Sequence, residues 1–143
     1  MDEKKTTFDE ELEQPKEEVV SNKPRPFLVW QVKDKEYKLK LTTSVITKLE
    51  NQFEKPLMEA VLDDGIPAQN TIVSMIQGAM QKFQHGIKSM DVEEIIDDYI
   101  EDGHTMMDIL KNVIYPLMYD AGFFTKAMME EMFKAMNDLD TGL

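Results

Sequence analysis

The sequence predicts a mainly α fold: a small helical domain of about five helices with an N-terminal β-hairpin and a disordered acidic tail before it. Three observations carry this. From Thr42 onward the apolar residues recur at helical spacing; over residues 27–41 they follow a strand pattern; over residues 1–24 they nearly disappear. The chain of 143 residues, 42% of them hydrophobic, has room for one modest core.

Residues 1–24 are rich in Glu, Lys, Thr and Pro, with Phe8, Leu12, Val19 and Val20 as the sizeable apolar groups. Such a segment buries too little surface to offset the entropy of ordering its backbone. Pro24 and Pro26 then bias the chain towards an extended path. Phe27-Leu-Val-Trp-Gln-Val32 is rich in strand formers, and Tyr37-Lys-Leu-Lys-Leu41 alternates with period two. Lys33-Asp34-Lys35-Glu36 between them is short and polar, as a hairpin turn requires, although it lacks a Gly that would define the turn type. A lone two-stranded ribbon is marginal in water. It must pack on helices or pair with another copy.

Thr43 or Ser44 is expected to cap the first helix, which carries Val45, Ile46, Leu49 and Phe53 on one face. Pro56 starts a short turn through Leu62 that stops at Asp63-Asp64-Gly65. Asn70 or Thr71 then caps a helix bearing Ile72, Val73, Met75, Ile76, Met80 and Phe83, ended by Gly86. Ser89 or Asp91 opens the next, where Val92, Ile95, Ile96, Tyr99 and Ile100 follow amphipathic spacing up to Gly103. Thr105 and Asp108 are placed to cap the longest helix, which runs to Gly122, with a kink or break expected at Pro116. Residues 125–143 form a separate Met-rich amphipathic helix and tail beyond the domain of residues 25–124.

The charge balance, 16 Lys+Arg against 28 Asp+Glu, gives a net charge of -12. That field repels phosphate backbones and anionic lipid, so neither nucleic acid nor membrane is an expected partner. Basic protein surfaces suit it better, and solubility alone would explain it too. With no Cys, thiolate chemistry and disulfides are ruled out. The N-terminus has no secretory pattern and no segment is apolar enough to span a bilayer, which makes cytosol the default.

Catalytic and cofactor motifs do not emerge. His85 and His104 lie apart, outside any zinc-ligand spacing, so no metal or other cofactor is expected. Setting Gly103 at the sixth position of a calcium loop puts Ile100 at the third and Ile109 at the twelfth, where oxygen ligands are needed. No nucleophile elbow or Gly-rich phosphate loop occurs, and no enzyme is expected.

Two features point to binding instead. Asp97, Asp98, Glu101 and Asp102 crowd a helix C-terminus, where the helix dipole is already negative; a basic partner would relieve the repulsion, and so, more weakly, would solvent. Among the 12 methionines, Met128, Met129, Met132 and Met136 share a face with Phe133, following Phe123 and Phe124. That face serves equally as core or as an adaptable docking surface. The hairpin offers a third candidate surface. Val29, Trp30, Leu39 and Leu41 are candidates for self-association through edge pairing, which proline at Val29 or Leu39 should block.

The order of elements resembles the tail assembly chaperones of long-tailed, non-contractile phages and prophages of Gram-positive hosts. The resemblance spans residues 27–124. It is carried by Leu41-Thr42 leading to Thr47-Lys48-Leu49-Glu50, by Pro56-Leu57, and by Gly65-Ile66-Pro67 before Asn70-Thr71-Ile72-Val73. Ile95-Ile96-Asp97-Asp98-Tyr99 before Gly103, and Ala121-Gly122-Phe123-Phe124, complete it. It implies a homo-oligomeric chaperone that coats the tape-measure protein and recruits tail-tube protein in the host bacterial cytoplasm, then leaves before the virion is complete. The competing expectation is an acidic adaptor or inhibitor that binds a basic host protein. Strict one-to-one binding would favour the latter, and concentration-dependent oligomers the former.

Overall fold

The structure, a computed structural model, describes residues 25–63 and 65–141. The expected acidic tail, residues 1–24, lies outside them. The described chain is mainly helical, with six helices following a two-stranded antiparallel hairpin.

Strand β1 (Leu28–Val32) pairs with β2 (Lys35–Leu39) in the register Leu28↔Leu39 to Val32↔Lys35. The turn is only Lys33-Asp34, tighter than the four polar residues expected, because Lys33 adopts a left-handed φ of 54°. Positive φ is what a two-residue hairpin turn needs to match the twist of its strands. Along β1, Leu28, Trp30 and Val32 point into the core while Val29 and Gln31 face out.

Helix α1 (Thr43–Phe53) is capped one residue earlier than expected: Thr42 Oγ1 accepts the Val45 N–H at 3.3 Å. Its Glu50 carboxylate accepts the Leu57 N–H at 2.8 Å, which stitches α1 to the first turn of α2 (Leu57–Leu62). Helix α3 (Gln69–Met80) starts after Ala68, so Asn70 and Thr71 lie within its first turn and do not cap it. It ends at Met80, and turns carry the chain on through Phe83 towards Gly86. Thr71, Ile72, Val73, Met75, Ile76, Ala79 and Met80 are all buried along it. The Lys40 N–H donates to Ala79 O at 2.9 Å and so fastens the end of the hairpin to the C-terminus of α3.

Helix α4 (Ser89–Glu101) opens where the Asp91 carboxylate accepts the Lys88 N–H at 2.9 Å. It closes in a Schellman arrangement: Gly103 N–H to Ile100 O at 3.0 Å, His104 N–H to Tyr99 O at 3.4 Å. Gly103 holds φ +100°, which a side chain would oppose.

The long helical pattern after Thr105 forms one composite helix, α5, in three parts: α-helical Met106–Ile109, π-helical Leu110–Ile114 and α-helical Tyr115–Asp120. Its start has the expected reciprocal cap. Thr105 Oγ1 accepts the Asp108 N–H at 3.2 Å, and the Asp108 carboxylate accepts the Thr105 N–H at 2.9 Å. Pro116 does not break it. The π turn immediately before Pro116 widens the helix where a proline ring would otherwise meet a carbonyl of the preceding turn. Six consecutive residues from Val113 to Met118 are buried, so α5 runs through the centre of the molecule.

Helix α6 (Lys126–Thr141) follows Thr125, whose Oγ1 accepts the Met128 N–H at 3.1 Å. It packs back on α5. Arg25 ties the start of the described chain to the end of α5, its guanidinium 3.1 Å from the Asp120 carboxylate.

Candidate functional site

The hairpin defines the site through its hydrogen-bond alternation. A two-residue turn makes Val32↔Lys35 the closing bonded pair, and bonded pairs then recur at every second residue. Leu28, Trp30 and Val32 therefore bond to β2, whereas the main-chain N–H and C=O of Val29 and Gln31 point away from it. Among the described residues these outward groups have no hydrogen-bond partner. The two edges of the hairpin differ. The outer side of β2 shows Glu36 and Lys38 and runs into the Lys40 contact with α3. That is the charge and cover by which natural sheets blunt an edge. β1 shows uncharged Val29, 48% exposed, and Gln31.

Beside the β1 edge runs a groove of about 310 Å³, lined by Val29, Trp30, Gln31 and Lys33 from the hairpin. Its other wall comes from the C-terminal end of α4 and from α5: Tyr99, Asp102, His104 and Asn112. This wall is a stack of rings and amides. Tyr99 meets Trp30 edge-on at 5.3 Å, and His104 lies flat on Tyr99 at 4.0 Å. Asn112 Nδ2 donates to the Tyr99 hydroxyl at 3.3 Å. His104 Nδ1 is also 3.8 Å from the Asp108 carboxylate. The indole N–H of Trp30 is buried and has no acceptor among the described residues. A donor left unpaired in this way carries a desolvation penalty of about 1–3 kcal/mol.

The rim is acidic. Asp98, Glu101 and Asp102 fall at i, i+3 and i+4 and share one side of the last turns of α4, all exposed. Among the described residues Lys33 answers two of them, 3.7 Å from Asp98 and 3.6 Å from Glu101. Both contacts are open to solvent and of little consequence for stability.

The structure sorts the candidate residues accordingly. Asp102 lines the groove with Val29, and Asp98 and Glu101 join it through Lys33, which lines the groove too. Asp97 does not: it lies on the other side of α4, with Glu93 and Asn70. Trp30, Leu39 and Leu41 are 3%, 0% and 5% exposed, so they belong to the core, although Trp30 also lines the groove. Of the self-association set only Val29 faces outward.

The Met-rich face is likewise corrected. Met136 and Phe124 are buried, and Phe123, Met129, Met132 and Phe133 are half-buried against the core. Met128, at 41% exposure, is the one that stays open. Amphipathic spacing reveals such a face but not what covers it. Lys33, Gln31, His104 and Asn112 escaped sequence reasoning. Gln31 was accessible to it, since it shares the outward face with Val29. Asn112 and His104 reach the groove only through the tertiary packing of α5 against α4.

Among the described residues no group of three or more His, Asp or Glu side chains could hold a metal ion. No described helix is long and apolar enough to cross a membrane.

The fold is a small helical domain with a two-stranded hairpin, one edge of which borders a groove with an acidic rim. Residues 27–141 match DUF6096, a family of unknown function, and the chain belongs to that family. Neither the curated proteins nor the solved structures contain a match to it.

Proposed function

We propose that the chain is a tail assembly chaperone of a long-tailed, non-contractile phage or prophage, a non-enzymatic protein that self-associates, binds the tape-measure protein and recruits tail-tube subunits. It works in the host cytoplasm and is absent from the finished virion. The observation that carries this reading is the open β1 edge beside an acidic rim: a surface on which main-chain groups and charge are left for another protein. The sequence resemblance over residues 27–124 supplies the particular role.

The test is light scattering after size exclusion, with and without the tape-measure protein encoded beside it. Oligomers that grow with concentration and co-elute with the tape measure are expected. A strict monomer that ignores it would overturn the reading. The acidic rim of α4 favours a second reading, an adaptor or inhibitor that binds one basic host protein. A one-to-one complex with such a protein would select it.

A further inference from the structure

We infer that the groove between β1 and the end of α4 is a strand-addition site that takes an extended, cationic peptide segment of a partner protein as a third strand. The inference rests on the reading of the chain as a binding protein and names the chemistry of what binds.

Three observations carry it. The register turns the N–H and C=O of Val29 and Gln31 outward, and these are the groups that an added strand pairs with. The exposed side chains of Val29 and Gln31 on that edge are uncharged, so they do not blunt it as Glu36 and Lys38 blunt β2. At the Lys33 end of the groove Asp102 lines the wall and Asp98 and Glu101 stand against Lys33, so carboxylates outnumber the groove's own lysine and favour a positive segment.

A second copy of this chain fits less well. The far wall of Tyr99, Asp102, His104 and Asn112 stands beside the edge, where a second hairpin would need room for its own helical backing. A single extended segment needs only the spacing of one strand.

Trp30 is the sole tryptophan and reports on the site without labelling. The full chain is titrated with three synthetic peptides of equal length: one alternating lysine with valine, one alternating glutamate with valine, and the lysine peptide with alternate amides N-methylated. The lysine peptide should shift Trp30 emission saturably. The glutamate and N-methylated peptides should bind at least roughly tenfold more weakly, the first through charge and the second through lost main-chain bonding.

In the protein, the triple change Asp98→Asn, Glu101→Gln, Asp102→Asn should weaken the lysine peptide by a similar factor. Lys33→Ala should tighten it, because it removes the internal competitor for those carboxylates. Equal binding of the N-methylated peptide would overturn strand addition even if every protein variant failed to fold. Equal binding of the glutamate peptide would overturn the cationic preference. Absence of peptide binding, together with oligomers abolished by Val29→Pro, would assign the edge to a second copy and sink the proposal. Co-elution with the tape measure is a separate result: it can succeed while the peptide titration fails, and the reverse.

Discussion

Tyr115 is buried beside Phe124, their rings 6.2 Å apart, and burial raises its phenol above the ordinary value of 10.0. Desolvation penalises the phenolate, so the folded chain holds the proton when the unfolded chain has already released it. The unfolded state then binds fewer protons, and stability falls as pH rises from 10.0 through the raised value. Urea midpoints should therefore drop as pH rises past 10.0, and Tyr115→Phe should flatten part of that drop. An identical fall in both proteins would remove Tyr115 as its source. Local chemistry was uneven in how far the sequence showed it. Thr105 and Asp108 cap as their spacing implies, because a reciprocal cap is complete within four residues. The φ of Lys33 was hidden, since the strain belongs to the turn and not to the lysine. For the same reason the acidic residues of α4 were visible as a cluster, but their division between two sides of the helix emerged only with the packing around it.

Helix α1 meets α3 at Gly78, where an added Cβ would stand 2.8 Å from Val45 Cγ1. Alanine in place of glycine inside a helix gains about 1 kcal/mol of propensity. Overpacking a close contact costs about 1–3 kcal/mol, so the contact should win. Gly78→Ala is expected to destabilise by about 1 kcal/mol. In a Val45→Ala background the same change should stabilise. A four-member cycle of urea midpoints measures both, and additivity would show that the two residues do not limit each other. At this scale the sequence was most legible. Strand-forming residues marked β1, period two marked β2, and helical spacing marked every long helix, because one face of each is buried. Pro116 was the exception. Its effect on the backbone was foreseen, but a π turn absorbs it, and that solution depends on neighbours that hold α5 on all sides.

The molecule closes around α5 with the help of α6, whose Met136 enters the core at 6% exposure. Met136→Ala should lower stability by about 2–5 kcal/mol, whereas Met128→Ala on the open side should change it by less than about 0.5 kcal/mol. Thermal or urea unfolding distinguishes the two, and equal effects would mean that α6 does not dock as described. Removing residues 125–143 should likewise expose apolar surface around Leu62, Met107 and Tyr115, which hydrophobic-dye binding would detect. Amphipathic spacing alone left open whether α6 stood apart or folded back, because a helix stripe records that something covers it without recording what. The groove was similarly illegible: which edge of the hairpin stays open depends on where α3 ends.

The fastening of Lys40 to Ala79 has a consequence for valency. A sheet free on both sides can pass strands along without limit, as fibrils do. Here the outer side of β2 meets the C-terminus of the chain's own third helix at Lys40, next to charged Glu36 and Lys38, which disfavours growth from that side. A molecule that extends its sheet from β1 alone is a terminus and not a link, and holds an extended client without seeding a polymer of itself through this hairpin.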